Sequence, residues 1–221
     1  MQIKTLVVTP FQQNCRILFS STSGAAAIID PGGEVDRIIS ELNALNLKPE
    51  SILLTHAHID HGAGVAALEE RLHEAGFSPK LYAHPNEKDM RASIETQAQM
   101  FGLPSGEYRN VREPDVYLDD GDTFNVGEYD SRVLFTPGHA PGHISLFFES
   151  AGDVPVLIAG DTLFASSIGR TDLPGGDFDT LVRSIREKLY VLPDETIVLS
   201  GHGPDTTIGQ EKRHNPFVRA Q

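Results

Sequence analysis

A chain of 221 residues with 39% hydrophobic and 22% charged residues has the composition of a globular protein with a sizeable core. Its formal net charge of −13 argues against nucleic acid and against anionic membrane surfaces, which both need a basic footprint. No run approaches the roughly 20 apolar residues that span a bilayer, the N-terminus shows no export signal, and Cys15 is the single cysteine, so a reducing cytoplasmic location is expected.

Strand-like runs open the chain at 4–9, 14–21 and 25–30, and Pro31-Gly32-Gly33 breaks it. Val35, Ile38, Ile39, Leu42 and Leu45 then recur at helical spacing, predicting an amphipathic helix. Ser51-Ile52-Leu53-Leu54 reads as a buried strand, 62–75 as a helix and 80–83 as a strand. The segment 86–101 reads as a helix with a polar, outward-looking composition, and 103–114 as loop. Strands are expected at 124–126, 131–136, 144–149 and 154–159. A helix marked by Phe178, Leu181, Val182, Ile185 and Leu189 follows and is stopped by Pro193. A last strand at 196–199 leads into a polar tail. Two sheets packed together and covered by helices accommodate this order, within one domain.

The densest chemistry lies in Thr55-His56-Ala57-His58-Ile59-Asp60-His61, where three histidines and one aspartate follow a strand directly. Imidazole nitrogens and carboxylate oxygens suit zinc and related divalent ions, and crowding them into one turn has little structural benefit. A strand followed by a ligand-type side chain occurs four times. Ile52 to Thr55 ends at His56, Val133 to Gly138 at His139, Val156 to Gly160 at Asp161, and Ile197 to Gly201 at His202. Glycine before the ligand lets backbone and metal approach closely. If these strand ends meet, five histidines and two aspartates converge, too many for one tetrahedral ion and about right for two.

Thr-His-x-His-x-Asp-His, then Gly-His, Gly-Asp and Gly-His in this order resemble the metallo-β-lactamase fold superfamily. Ile29-Asp30-Pro31-Gly32-Gly33, Thr136-Pro137-Gly138-His139-Ala140-Pro141-Gly142-His143, Ala159-Gly160-Asp161-Thr162-Leu163-Phe164 and Gly201-His202-Gly203-Pro204 resemble, within it, the hydroxyacylglutathione hydrolases, or glyoxalase II group. The resemblance implies an α/β fold, a four-layer αββα sandwich of two mixed sheets flanked by helices. It implies two divalent ions per chain, zinc first, with iron and manganese also compatible. His56, His58 and His139 would hold one ion and Asp60, His61 and His202 the other, with Asp161 bridging. Asp60 and Asp161 would then act in catalysis, Asp60 by orienting the attacking hydroxide. Asp30 would hold a ligand histidine by its other ring nitrogen. The implied reaction is hydrolysis of an anionic thioester such as S-D-lactoylglutathione by a hydroxide bridging the ions.

Long-form relatives carry a helical C-terminal domain with glutathione contacts. This chain ends shortly after Arg213-His214-Asn215-Pro216, so it resembles the shorter, single-domain branch. Arg170 stands near the position where the family uses a basic residue on the substrate carboxylate, with an ion pair to Asp172 or Asp177 as the competing reading. Gly169-Arg170-Thr171-Asp172 also matches persulfide dioxygenases, which use one iron, although the intact Asp60, His61 and His202 favour hydrolysis. A lactonase or β-lactamase, or a metal-binding protein without catalysis, are the other readings. His143 is expected to be a structural hydrogen-bonder, and His73, His84 and His214 surface or packing residues. Asp119, Asp120 and Asp122 around Gly121 read as turn chemistry.

Overall fold

The computed structural model describes residues 1–104 and 108–219. The chain divides into two compact units, Met1–Tyr117 with Val126–Glu128, and Leu118–Asn125 with Tyr129–Gln221. Each is α/β and carries one mixed sheet with its own helices.

In the first unit six strands lie in sequence order: β1 (Gln2–Val8), β2 (Gln13–Phe19), β3 (Ala25–Ile29), β4 (Lys48–Leu53), β5 (Lys80–Ala83) and β6 (Val116–Tyr117). β1 to β3 are antiparallel neighbours, whereas β3, β4, β5 and β6 run parallel. Parallel strands need crossovers, and the helices α1 (Val35–Ala44) and α3 (Val65–Glu74) provide them. Ile38 and Leu42 of α1 and Val65, Leu68 and Leu72 of α3 are buried in one core with Ile28, Ile52 and Leu54. Each such side chain contributes about 1.5–3 kcal/mol by leaving water. Because β3, β4 and β5 point the same way, the segments that follow them share one sheet edge, with the β4 segment in the middle.

The second unit holds a sheet in the order β14 (Thr206–Thr207), β13 (Ile197–Ser200), β10 (Val156–Gly160), β9 (Ile144–Phe148), β8 (Tyr129–Phe135) and β7 (Thr123–Val126). β13 is parallel to β10, and β9 is antiparallel to both β8 and β10. The C-terminal ends of β8, β10 and β13 therefore lie on one edge. Leu181 of α6 (Phe178–Ser184) packs with Leu157, Val198 and Ile208 in a second core. Asp177 starts that helix by accepting the Thr180 N–H at 2.7 Å.

Several expected elements differ. The helix expected over 86–101 is three pieces, a 3₁₀ turn at Pro85–Glu87, α4 (Lys88–Arg91) and α5 (Ile94–Met100). The break has a cause: the Arg91 carbonyl accepts from the Val111 N–H, and the Ser93 hydroxyl donates to the Met90 carbonyl. Of the loop expected over 103–114, residues 105–107 lie outside the described residues. Within the Thr55–His61 segment, α2 (Ile59–Gly62) is a helical turn. The last long helix ends as a π turn at Ile185–Leu189. The polar tail contains β14 and the helix α7 (Ile208–His214), capped by Thr207 and anchored through Ile208, its one buried aliphatic residue. A small hairpin, β11 (Leu163–Phe164) and β12 (Ser167–Ile168), also escapes the sequence pattern.

Among the described residues, no helix is long and apolar enough to cross a membrane.

Candidate metal centre

Each unit presents its own group of metal-type side chains at a sheet edge. In the first unit the segment after β4 carries His56, His58, Asp60 and His61, with all three imidazoles buried. The His56 ring packs against that of His58 at a centroid distance of 4.7 Å and against that of His61 at 4.1 Å. The hydrogen-bond pattern assigns their tautomers. Asp30, which follows β3, accepts from the Thr55 N–H and from the Thr55 hydroxyl, both at 2.7 Å. Since that hydroxyl's one proton goes to the carboxylate, its oxygen accepts from Nδ1–H of His56, 3.1 Å away. Nδ1 of His61 donates to the same Asp30 oxygen at 3.0 Å. Both rings therefore carry their proton on Nδ1 and their lone pair on Nε2, the form a metal ligand needs.

The carbonyl oxygen of Asp60 leaves no room for a side chain at residue 32. A Cβ built on Gly32 would stand 1.6 Å from it, and one on Gly64 would stand 2.3 Å from the Pro31 carbonyl. The Pro31-Gly32-Gly33 break is thus the surface on which the turn bearing Asp60 and His61 rests, backbone against backbone.

In the second unit His139 follows β8, Asp161 follows β10 and His202 follows β13. Oδ2 of Asp161 lies 3.5 Å from Nε2 of His139 and 3.5 Å from Nε2 of His202. Nδ1 of His139 donates to the carbonyl oxygen of Arg170 at 2.7 Å, which again leaves the lone pair on Nε2. His143 uses the same nitrogen differently: its Nε2 accepts the backbone N–H of Asp161 at 3.0 Å. Its Nδ1–H then donates to Thr136 Oγ1 at 2.9 Å, Thr136 to Ser145 Oγ at 3.0 Å, and Ser145 to the Ala159 carbonyl at 3.3 Å. His143 is the structural hydrogen-bonder expected from sequence, committed to holding the Asp161 backbone. Gly169 closes the arrangement, because a Cβ there would stand 1.9 Å from the Asp161 carbonyl.

These donors fit divalent ions. With bonds of about 2.0–2.1 Å, neighbouring ligand atoms of a tetrahedral ion lie about 3.4 Å apart. The two 3.5 Å separations at Asp161 match that edge and are long for hydrogen bonds. In the first unit Nε2 of His61 lies 3.8 Å from Oδ2 of Asp60.

Arg170 is exposed, and its guanidinium grips Asp172 through two parallel hydrogen bonds of 2.7 and 2.8 Å. Hydrogen bonding from Arg170 lowers the Asp172 carboxyl to a pKa of about 2. Burial raises the Cys15 thiol far above its usual range, and that side chain is an inert part of the core. His84 is buried and accepts the Asn86 N–H at 3.1 Å, a packing and capping role. Asp119, Asp120 and Asp122 accept backbone N–H groups at the turn before β7, and Lys188 pairs with Asp120.

Sequence reasoning missed two side chains beside the first group. Glu87, fully buried, accepts the Ala57 N–H at 2.7 Å through Oε2. Gln97 of α5 accepts the Ile59 N–H at 2.9 Å and donates to the carbonyls of Ala57 and Met90. One signal was available for Glu87, its place just after β5 beside the strand that delivers His56.

The model of the Metallo-beta-lactamase superfamily matches residues 8–202. The chain is 42% identical to hydroxyacylglutathione hydrolase GloC of Haemophilus influenzae over the whole length of both. It is 41% identical to the probable metallo-hydrolase YqgX of Bacillus subtilis, covering 99% of this chain and 98% of that one. Among solved structures, BLEG-1 B3 metallo-beta-lactamase is similar with a TM-score of 0.85 and 38% identity, covering 98% of this chain and 99% of the other. TTHA1623 in a di-iron-bound form gives a TM-score of 0.85 at 34% identity, covering 97% of this chain and all of the other.

Proposed function

Because the chain belongs to the metallo-beta-lactamase superfamily, we propose that it is a binuclear metallohydrolase of the glyoxalase II type. Its substrate would be an anionic thioester, with S-D-lactoylglutathione the leading candidate. The observation that carries this reading is the donor set, three histidines and Asp60 in one unit and His139, Asp161 and His202 in the other. Full-length likeness to a hydroxyacylglutathione hydrolase supports the thioester in particular.

In this proposal His56, His58 and His139 would hold one ion and Asp60, His61 and His202 the other, with Asp161 a ligand shared by both. Bound ions of this kind activate water near neutral pH and polarise a carbonyl. With the ions bound, Asp60 would accept a hydrogen bond from the attacking water and orient it. His143 holds the backbone of Asp161, and the Arg170 carbonyl holds the ring of His139, so neither ligand needs to reorganise. A thiolate leaves without much protonation, so no separate strong acid is required. The Arg170 guanidinium would take the substrate carboxylate by exchanging it for Asp172, which has the same forked geometry. Two divalent ions would offset four negative charges locally and draw an anionic substrate to an otherwise acidic protein.

A second reading is a single-iron persulfide dioxygenase, favoured by Gly169-Arg170-Thr171-Asp172. One preparation separates the two. The protein is purified aerobically without chelator, its metal per chain is measured, and the same sample is assayed on S-D-lactoylglutathione. About two metals with thioester cleavage is the expected result. One iron, no hydrolysis, and oxygen uptake with glutathione persulfide would replace the proposal with the second reading.

A further inference from the structure

From Thr55 to Asp60 the chain alternates between two tasks. His56, His58 and Asp60 are the metal-type side chains, and the residues between and before them have backbone N–H groups held by side chains from elsewhere in the unit. The Thr55 N–H goes to Asp30 at 2.7 Å, the Ala57 N–H to Glu87 at 2.7 Å, and the Ile59 N–H to Gln97 at 2.9 Å. The three acceptors come from three places: the end of β3, the turn after β5, and α5. β4 lies between β3 and β5, so its C-terminal segment is gripped from both flanks, and α5 supplies a third point. Gln97 also donates to the Ala57 carbonyl at 3.3 Å, so this one peptide segment is held at both its donor and its acceptor groups.

We infer that Glu87 and Gln97 are positioning residues for the metal site: they hold the amides flanking His58 and thereby fix the imidazoles of His56 and His58 for an ion. The inference rests on the proposed binding of a metal by those two histidines. A buried backbone N–H needs a partner, but an aliphatic loop could satisfy this one with a backbone carbonyl. Here the partner is a carboxylate oxygen on a fully buried side chain, a much more demanding solution. The 2.7 Å separation is at the short end for N–H···O. Such a brace costs stability to build and restricts the segment to one conformation, which benefits a ligand set whose donors must converge within a few tenths of an ångström.

The test uses zinc alone as the probe, on the full chain stripped with chelator, with affinity read by competition against a chromophoric chelator. Glu87→Ala and Gln97→Ala should each weaken binding of the tighter zinc tenfold or more, the range for groups that orient ligands. Glu87→Gln keeps an acceptor oxygen for the Ala57 N–H and should restore most of the affinity. Rescue distinguishes a brace from a general packing role, and urea midpoints of the metal-free variants check that the fold survives. Should Glu87→Ala fail to fold, Gln97→Ala, at a half-buried position, carries the test. Folded variants with wild-type zinc affinity would overturn the inference, and so would a folded Glu87→Gln as defective as Glu87→Ala. A His56→Ala/His58→Ala double variant is the control for the underlying reading. If it binds zinc like the wild type, the metal assignment itself is wrong. If it loses zinc while Glu87→Ala and Gln97→Ala keep theirs, only the positioning role falls.

Discussion

Oδ2 of Asp30 accepts from Nδ1 of His61 at 3.0 Å while also accepting from the hydroxyl of Thr55 at 2.7 Å. One buried carboxylate thereby fixes the tautomers of two imidazoles, His61 directly and His56 through Thr55. It does so from a left-handed backbone conformation, φ +52°, which aspartate and asparagine tolerate better than other side chains.

Asp30→Asn should therefore fold, because asparagine accepts the same backbone geometry. The amide offers one acceptor oxygen in place of two, so His61 or Thr55 loses its partner. We expect metal affinity to fall tenfold to a hundredfold, measured by chelator competition. Asp30→Ala should in addition destabilise the fold by about 1–3 kcal/mol for each buried donor left unmade. Unchanged metal affinity in Asp30→Asn would remove this carboxylate from the site.

Arg170 divides its work between backbone and side chain. Its carbonyl orients His139 and survives any substitution, whereas its guanidinium engages Asp172. Arg170→Ala should keep wild-type metal content and raise KM for an anionic thioester more than it lowers kcat. Equal losses in kcat and kcat/KM would contradict a role in gripping the carboxylate. Asp172→Asn should lower KM by releasing the guanidinium from its competitor.

The Asp172 carboxyl should titrate near pH 2, against about 3.9 for an unperturbed aspartate. A depressed folded-state pKa means that the pair's contribution is fully present above the unfolded value. It is lost as pH falls through about 2. Carbon-13 NMR of the side-chain carboxyl would read this midpoint directly, and Arg170→Ala should return it toward the unperturbed value. A wild-type midpoint near 4 would show that the pair does not persist in solution.

Gly32→Ala should be among the most damaging single-methyl changes in the chain. The new Cβ would collide with the Asp60 carbonyl, a backbone atom that cannot rotate away. A cost of about 3 kcal/mol or more is expected, with loss of metal as the turn carrying Asp60 and His61 shifts. Gly76→Ala provides the contrast. Gly76 has a positive φ, which Gly32 does not, but nothing lies within 4 Å of a built Cβ, so only the left-handed strain of about 1–2 kcal/mol applies. Urea denaturation of both variants would compare them, and equal stabilities would refute the close-approach account.

The donor residues were legible because their chemistry is carried by side-chain identity. Three histidines and an aspartate between 56 and 61 name a metal whatever the backbone does. The strands before His139, Asp161 and His202 were legible for a similar reason, since buried strands are written as short apolar runs. The bracing was less visible. Glu87 and Gln97 lie in a segment whose composition reads as an outward-facing helix, whereas Glu87 sits in a separate 3₁₀ turn and Gln97 in α5, each bonded to a backbone N–H of the segment after β4. The tail helix was hidden because a seven-residue element with one buried aliphatic residue has no periodicity to detect.

By itself the sequence determined which side chains can bind metal, that most of them follow apolar strands, and that glycines flank them. Tertiary structure decided what each histidine does with its second nitrogen. Asp30 takes it from His61, the Thr55 hydroxyl from His56, and a backbone carbonyl from His139, whereas His143 turns Nε2 to the amide of Asp161. No local pattern separates those histidines: apart from Thr55, which immediately precedes His56, each partner arrives from a different strand or loop. A carbonyl such as that of Arg170 is also chemically the same at every residue. Only the strand order, which sets neighbouring segments side by side, gives that carbonyl a specific partner.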